Sequence, residues 1–297
     1  MRNFARVVFG VMIALVVLSG RTESRGRCGH YRITEQAIAS LPDTLRQYFE
    51  AQAKELVAKS VEPDEARRWD EDEQFRHYID IDAYGEPPFT ELPREFDAAV
   101  KKFGPVGLDT IGTLPWTIER FTKILTDAFK ADDRDSIIHT AAYLAHYVSD
   151  AHVPLHTVVN YDGQLTGQRG VHARWESHIP ERFGEQFDLR LGEARFLGSP
   201  RDEAFQIVLT SFAKADSVLA ADRQAQQTAE GGIVTADPSR DRRRQLSDPY
   251  YAEFHRLLSG MVERQLQSAV SAVASYWYTA WVNAGRPKLS VLEKPKE

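Results

Sequence analysis

His146 and Asp150 stand four residues apart, and so do His172 and Glu176. On an α-helix, residues i and i+4 share one face, so each pair points an imidazole and a carboxylate in the same direction. A fold that holds both pairs must accommodate two polar helix faces, which an ordinary apolar core does not do. His156 follows the first pair by six residues, within His146-Tyr-Val-Ser-Asp150-Ala-His-Val-Pro-Leu-His156. A lone histidine on a helix is usually structural. Two paired steps are hard to explain by packing, and imidazole with carboxylate is the ligand set of a zinc that keeps one position open.

The rest of the chain reads as helices. Ile33 to Ser40 and Thr44 to Lys59 are separated by Leu-Pro-Asp at 41–43, and Glu95 to Phe103 ends at Gly104-Pro105. Pro115 to Lys130 carries proline in its first turn. Asp135 to Asp150, Ala173 to Phe183 and Arg201 to Ala221 follow. A long last helix opens at Asp248-Pro249 and closes at Gly285 and Pro287. Phe254, Leu258, Met261, Leu266, Val270, Val273 and Trp277 recur along it at helical spacing, as a core face does. Gln224 to Gln245 is polar, with Gly231-Gly232 and basic residues at Arg240 to Arg244, and reads as an exposed loop. No strand pattern, repeat or dividing linker is present. The expected fold is all-α, a single-domain multi-helix bundle over 25–290, with a polar tail at 291–297.

The first residues read as an export signal. Arg2 and Arg6 precede an apolar stretch from Val7 to Leu18, too short for the roughly 20 residues of a membrane span. The expected signal peptide is 1–24, and the expected location is periplasmic or extracellular; an uncleaved N-terminal anchor is the alternative. Cleavage after Ser24 removes Arg2, Arg6, Arg21 and Glu23, so the net charge of -6 becomes -8. Such an acidic chain offers no basic face to duplex DNA. The single cysteine, Cys28, excludes an internal disulfide. Burial and metal binding remain as the ways to hold an exported chain together.

Upstream of the two pairs lie Glu62-Pro-Asp64-Glu-Ala-Arg67 and Phe75-Arg-His77-Tyr-Ile-Asp80. The acidic stretch Asp70 to Glu73 reads as a solvated run. The order Gly29-His30, Asp64, His77, His146, Asp150, His156, His172, Glu176, with Val153-Pro-Leu-His156 closing the central motif, resembles the superfamily of bacterial zinc-dependent phospholipases C and single-strand zinc nucleases. The resemblance runs from Gly29 to Trp277-Tyr-Thr-Ala-Trp281. It implies a helical bundle of that type with three zinc ions. One would take Asp64, His77, His146 and Asp150. A second would take His156, His172 and Glu176. The third would share Asp150 with His30 and the backbone amine and carbonyl of the mature N-terminus, here Arg25 where the family usually has tryptophan. Cys28 has no counterpart among these ligands. His152 reads as a supporting or surface residue and His139 as a core or supporting one; His178 and His255 carry no partner signal.

The resemblance implies a phosphodiester hydrolase that attacks phosphorus with zinc-bound hydroxide. Asp64 would orient or deprotonate the water, and Arg67 would steady the transition state. The sixteen residues from His156 to His172, a glutamate at 176 and the lack of disulfides look like the phospholipase C branch, with a phospholipid substrate and transient contact with a membrane surface. Arg67 and His77-Tyr78-Ile79-Asp80 look like the nuclease branch, where Tyr78 would stack a base and Asp80 would accept from its edge. The lean is to the phospholipase; a nuclease or 3'-nucleotidase acting on single-stranded nucleic acid is the alternative. No permanent protein partner is implied. Two other classes fit the pattern less well. A di-iron bundle uses Glu-x-x-His steps, unlike these. A non-catalytic, zinc-stabilised binding protein would close its sites with four protein ligands, often cysteine.

Overall fold

The computed structural model describes residues 27–190, 192–228 and 246–290. The expected signal peptide, Arg25 and the tail at 291–297 lie outside them. Twelve α-helices are present among the described residues, with no strand: α1 Arg27–Ala39, α2 Asp43–Ala51, α3 Ala53–Lys59, α4 Glu62–Ala66, α5 Phe96–Ile111, α6 Leu114–Ala131, α7 Arg134–Ala151, α8 Val171–Ala173, α9 Ile179–Phe183, α10 Pro200–Thr228, α11 Asp248–Leu257 and α12 Met261–Asn283.

Helix α7 is the centre of the bundle and is buried from Thr140 to Ala151 except at Tyr143. It packs against α6, α12, α3 and α1. Its start is fixed locally. Asp133 accepts from the Ser136 N–H and hydroxyl, a side-chain cap of the kind that stabilises a helix start. Its axial position is fixed by long-range bonds to its carbonyls, one in mid-helix and one at its end. Trp277 Nε1 of α12 donates to Ala141 O at 3.0 Å, and the Ser211 hydroxyl of α10 donates to Ala151 O at 2.8 Å. A helix enclosed this way can carry buried polar groups at one defined depth, and His146 and Asp150 are those groups.

Several expected helices are cut or joined differently. The single helix expected over 44–59 is two, because Gln52 leaves the helical region (φ -110°, ψ 4°). No breaker residue announces this; the break lets Tyr48 and Phe49 of α2 and Leu56 of α3 all reach the core. The expected stop at Gly104-Pro105 is a kink inside α5, with Gly104 at φ 71°. The long last helix is two, α11 and α12, divided where Ser259 and Gly260 take positive φ. Helix α10 runs on to Thr228, so 224–228 is helical and not loop; 229–245 lies outside the described residues. Between α8 and α9, Arg174–His178 forms a turn of π-helix.

Candidate metal centre

The histidines and carboxylates come from seven places in the chain. His30 is on α1, Asp64 on α4, and His146 and Asp150 on α7. His77 follows a 3-10 turn at Glu73–Arg76, and His156 lies in another at Pro154–Thr157. His172 is on α8 and Glu176 in the π turn. The two 3-10 turns are tied together, since Ile79 N–H donates to His156 O at 2.9 Å and His156 Nδ1 donates to His77 O at 2.5 Å.

Three groupings result. His77 Nδ1 lies 2.8 Å from Asp150 Oδ2 and 3.1 Å from His146 Nε2. Asp64 Oδ1 is 3.9 Å from each of those nitrogens. His172 Nε2 is 3.1 Å from His156 Nε2 and 2.8 Å from Glu176 Oε2. His30 Nε2 faces Asp150 Oδ1 at 3.5 Å and Glu176 Oε1 at 3.6 Å. Except for Asp64 and partly exposed His172 and Glu176, these side chains are sealed from solvent.

Zinc fits this donor set. Ligands at 2.0–2.1 Å on a tetrahedron are about 3.3 Å from one another, and the first two groups have separations of 2.8–3.9 Å and 2.8–3.5 Å. The tautomers agree. His146 donates through Nδ1 to Ser60 O at 2.8 Å, which leaves its Nε2 lone pair facing the group, and His156 is held likewise. Two imidazole nitrogens 3.1 Å apart, each offering a lone pair, call for a cation between them. The Nε2 atoms of His30 and His172 also face the cluster. The field of the carboxylates favours positive charge here, whether a proton or a metal ion supplies it. Burial opposes charge on His146 and His156, yet Asp150 with Asp64, and Asp150 with Glu176, hold both up to about 9. Burial likewise opposes the Asp150 carboxylate, but His146 and His156 keep it well below the usual range.

Glu73 corrects one sequence expectation. It is 1% exposed, not part of a solvated run. Its Oε1 accepts from the Tyr147 hydroxyl at 2.5 Å and lies 3.3 Å from His77 Nε2, off the best hydrogen-bonding line. Its Oε2 accepts from Arg76 at 2.5 Å. Burial raises its pKa, but His77, Tyr147 and Arg76 outweigh that and bring it to about 2. A buried anion behind Nε2 leaves Nδ1 as the face His77 offers to metal. The sequence held the signal, since Glu73 and His77 are a third carboxylate–imidazole step of four with its order reversed.

The remaining expected residues lie next to these groups. Arg67, exposed at the C-terminal end of α4, pairs with Asp64 Oδ1 at 2.8 Å. Tyr78 donates its hydroxyl to Thr110 O at 3.2 Å. Burial, with Asp80 and Tyr161 nearby, pushes that phenol up to about 12. Burial and Asp82 push Asp80 up to about 7, against His156. Tyr161, which the sequence did not single out, is 53% exposed with its ring 6.1 Å from that of His172. Of the other histidines, His139 is exposed against the Tyr143 ring and not in the core. His152 is buried and bonded to Val148 O at 2.8 Å, and His178 meets the Tyr251 hydroxyl at 2.6 Å.

An all-helical bundle with clustered His/Asp/Glu groups of zinc-binding character defines a zinc-dependent phosphodiester hydrolase of the superfamily the motifs resemble. The family model described as S1/P1 Nuclease matches residues 25–271, and the chain belongs to that family. None of the curated proteins matches the chain. The family favours the nuclease alternative over the phospholipase C lean, and phospholipid and membrane contact lose their support.

Proposed function

We propose that the chain is an exported, three-zinc nuclease that cleaves phosphodiester bonds of single-stranded nucleic acid. The observation that carries the choice of substrate is half-exposed Tyr161, its ring 6.1 Å from that of His172, with Tyr78 and Asp80 on the segment that carries His77. Unpaired bases stack on aromatic faces at about 1–3 kcal/mol each, and a duplex does not present its bases this way. Asp80, poised near neutrality, exchanges a hydrogen bond with a base edge either as acid or as carboxylate.

Bound zinc supplies Lewis acidity, which neutralises charge on the phosphoryl oxygens and makes water a competent nucleophile near neutral pH. The chain's own residues do the rest. Asp64, the most exposed carboxylate of the cluster, orients the attacking water and accepts its proton. Arg67, held at Asp64, brings a fixed cation to the mouth, where a phosphate arrives. His30, His77, His146, Asp150, His156, His172 and Glu176 hold metal, and the Arg25 terminus completes the third site once residues 1–24 are removed. The short His156–His172 interval, which carries Tyr161, then carries no weight as a lipid signature.

The test is a parallel assay of the zinc-loaded chain beginning at Arg25 on single-stranded RNA, duplex RNA and phosphatidylcholine vesicles. The reading expects single-stranded RNA to be cut fastest and Tyr161→Ala to raise KM more than it lowers kcat. Cleavage of phosphatidylcholine alone would refute it.

A further inference from the structure

A buried ion pair stands directly behind the second zinc site. Arg174 lies between the ligands His172 and Glu176 but points the other way. It is 2% exposed, and its partner Asp222, on α10, is fully buried. Arg174 Nε and Nη2 both lie 2.8 Å from Asp222 Oδ1. Nη1 donates to Arg169 O and Nη2 to Gln168 O, each at 2.9 Å, so the guanidinium also grips the chain that leads into His172. The Tyr250 hydroxyl of α11 accepts from Arg174 Nε at 3.0 Å and donates to Asp222 Oδ1. Asp222 Oδ2 accepts from Gln168 Nε2 at 2.7 Å and Gln226 Nε2 at 2.6 Å. Even Gly170 is shaped by the pair. It takes φ +89°, and a Cβ there would come within 2.9 Å of Arg174 Nη1.

This network holds the one π turn of the described residues. The Ile179 N–H bonds to Arg174 O, five residues back instead of four. In an α-helix four residues overshoot one turn of 3.6, so the side chains at i and i+4 are offset around the axis. The wider π turn brings them nearly into line, and His172 Nε2 meets Glu176 Oε2 at 2.8 Å. A π turn is inherently less favourable than the α-helix around it and persists where the surroundings hold it. The Arg174 side chain, tied to α10 and α11, stands at its first residue.

We propose that the Arg174–Asp222 pair is a positioning element for the second zinc site, holding the π turn that aligns His172 with Glu176. Neither residue touches metal or substrate; both act through the backbone between the two ligands. The proposal rests on the zinc reading of the cluster. It makes affinity at one site depend on α10 and α11, while the first group, on α4, α7 and the turn before His77, is left alone.

The test is zinc binding by competitive chelator titration, read with helical circular dichroism. Asp222→Asn keeps the shape and removes the charge, and Tyr250→Phe removes one hydroxyl from the same network. His172→Ala marks the zinc that belongs to the second site. Tyr276→Phe, which removes a buried hydroxyl bonded to Pro200 O at 2.8 Å, is the control for general destabilisation. Asp222→Asn is expected to weaken that zinc by roughly 10–100-fold, as loss of an outer partner typically does, with the zinc of the first group unchanged. Tyr250→Phe should do the same to a lesser degree, and combining Asp222→Asn with His172→Ala should cost no further zinc. If Asp222→Asn does not fold, Tyr250→Phe decides. Wild-type affinity at the second site in the folded variants would overturn the proposal, and so would a uniform weakening of all zincs that Tyr276→Phe reproduces. A wild-type chain that binds no zinc would instead overturn the zinc reading itself.

Discussion

Asp150 faces His30 across 3.5 Å with one carboxylate oxygen, Oδ1, and turns the other, Oδ2, to His77 and His146. One side chain thereby belongs to two metal groups. Asp150→Asn should remove two zincs per chain at once and lower activity by more than the roughly 10–100-fold that outer partners cost. Zinc analysis of the purified variant is the check; loss of a single zinc would break the bridging assignment.

Glu73 is the buried anion behind His77. Glu73→Gln keeps the volume and the acceptor for Tyr147 but removes the charge that favours a proton on His77 Nε2. Zinc affinity of the first site should fall by roughly 10-fold or more, and Glu73→Asp should recover part of it. The chelator midpoint reads this directly.

Gly112 has φ +82°, and a Cβ built there would lie 2.1 Å from the Tyr78 carbonyl oxygen. Backbone meets backbone at this point, so no rotamer change relieves the clash. Gly112→Ala should cost about 2 kcal/mol or more and push Tyr78 and Asp80 out of place. Thermal melting should show a Tm several degrees lower, with KM for RNA raised in the folded fraction.

His255 stacks on Phe183 at 4.3 Å, and burial lowers its pKa despite Glu263. A depressed histidine means that the unfolded chain binds the proton more readily. The stability this group contributes is therefore present above its usual value near 6.5 and lost as pH falls below it. His255→Phe should melt closer to wild type at pH 8 than at pH 5, where the variant should gain relative stability. A Tm difference that does not change with pH would contradict this.

The bundle and its metal-type residues were legible because they are local. Spacings of four on α7 and across the π turn are visible in the residue order alone, as are proline starts and glycine stops. What escaped depends on tertiary position. The break at Gln52 has no breaker residue, and Glu73 looked solvated because nothing local tells a buried acid from its exposed neighbours Glu71 and Asp72. Arg174 carries no signal of its own in the sequence, since its partner Asp222 is 48 residues away. Tyr161 became visible only once the loop before α8 lay beside His172. The choice between lipid and nucleic acid is not legible in loop length or in the identity of one acid; the family match favours the nuclease alternative.

The central claim is that one zinc cluster cuts single-stranded nucleic acid. The most direct test is to strip the mature protein of metal, add zinc back in known equivalents, and follow cleavage of single-stranded RNA at each step. The account predicts no cleavage without metal and full activity once three zinc ions per chain are bound. Cleavage that persists in metal-free protein, or a fully zinc-loaded protein that leaves single-stranded RNA intact, would contradict it.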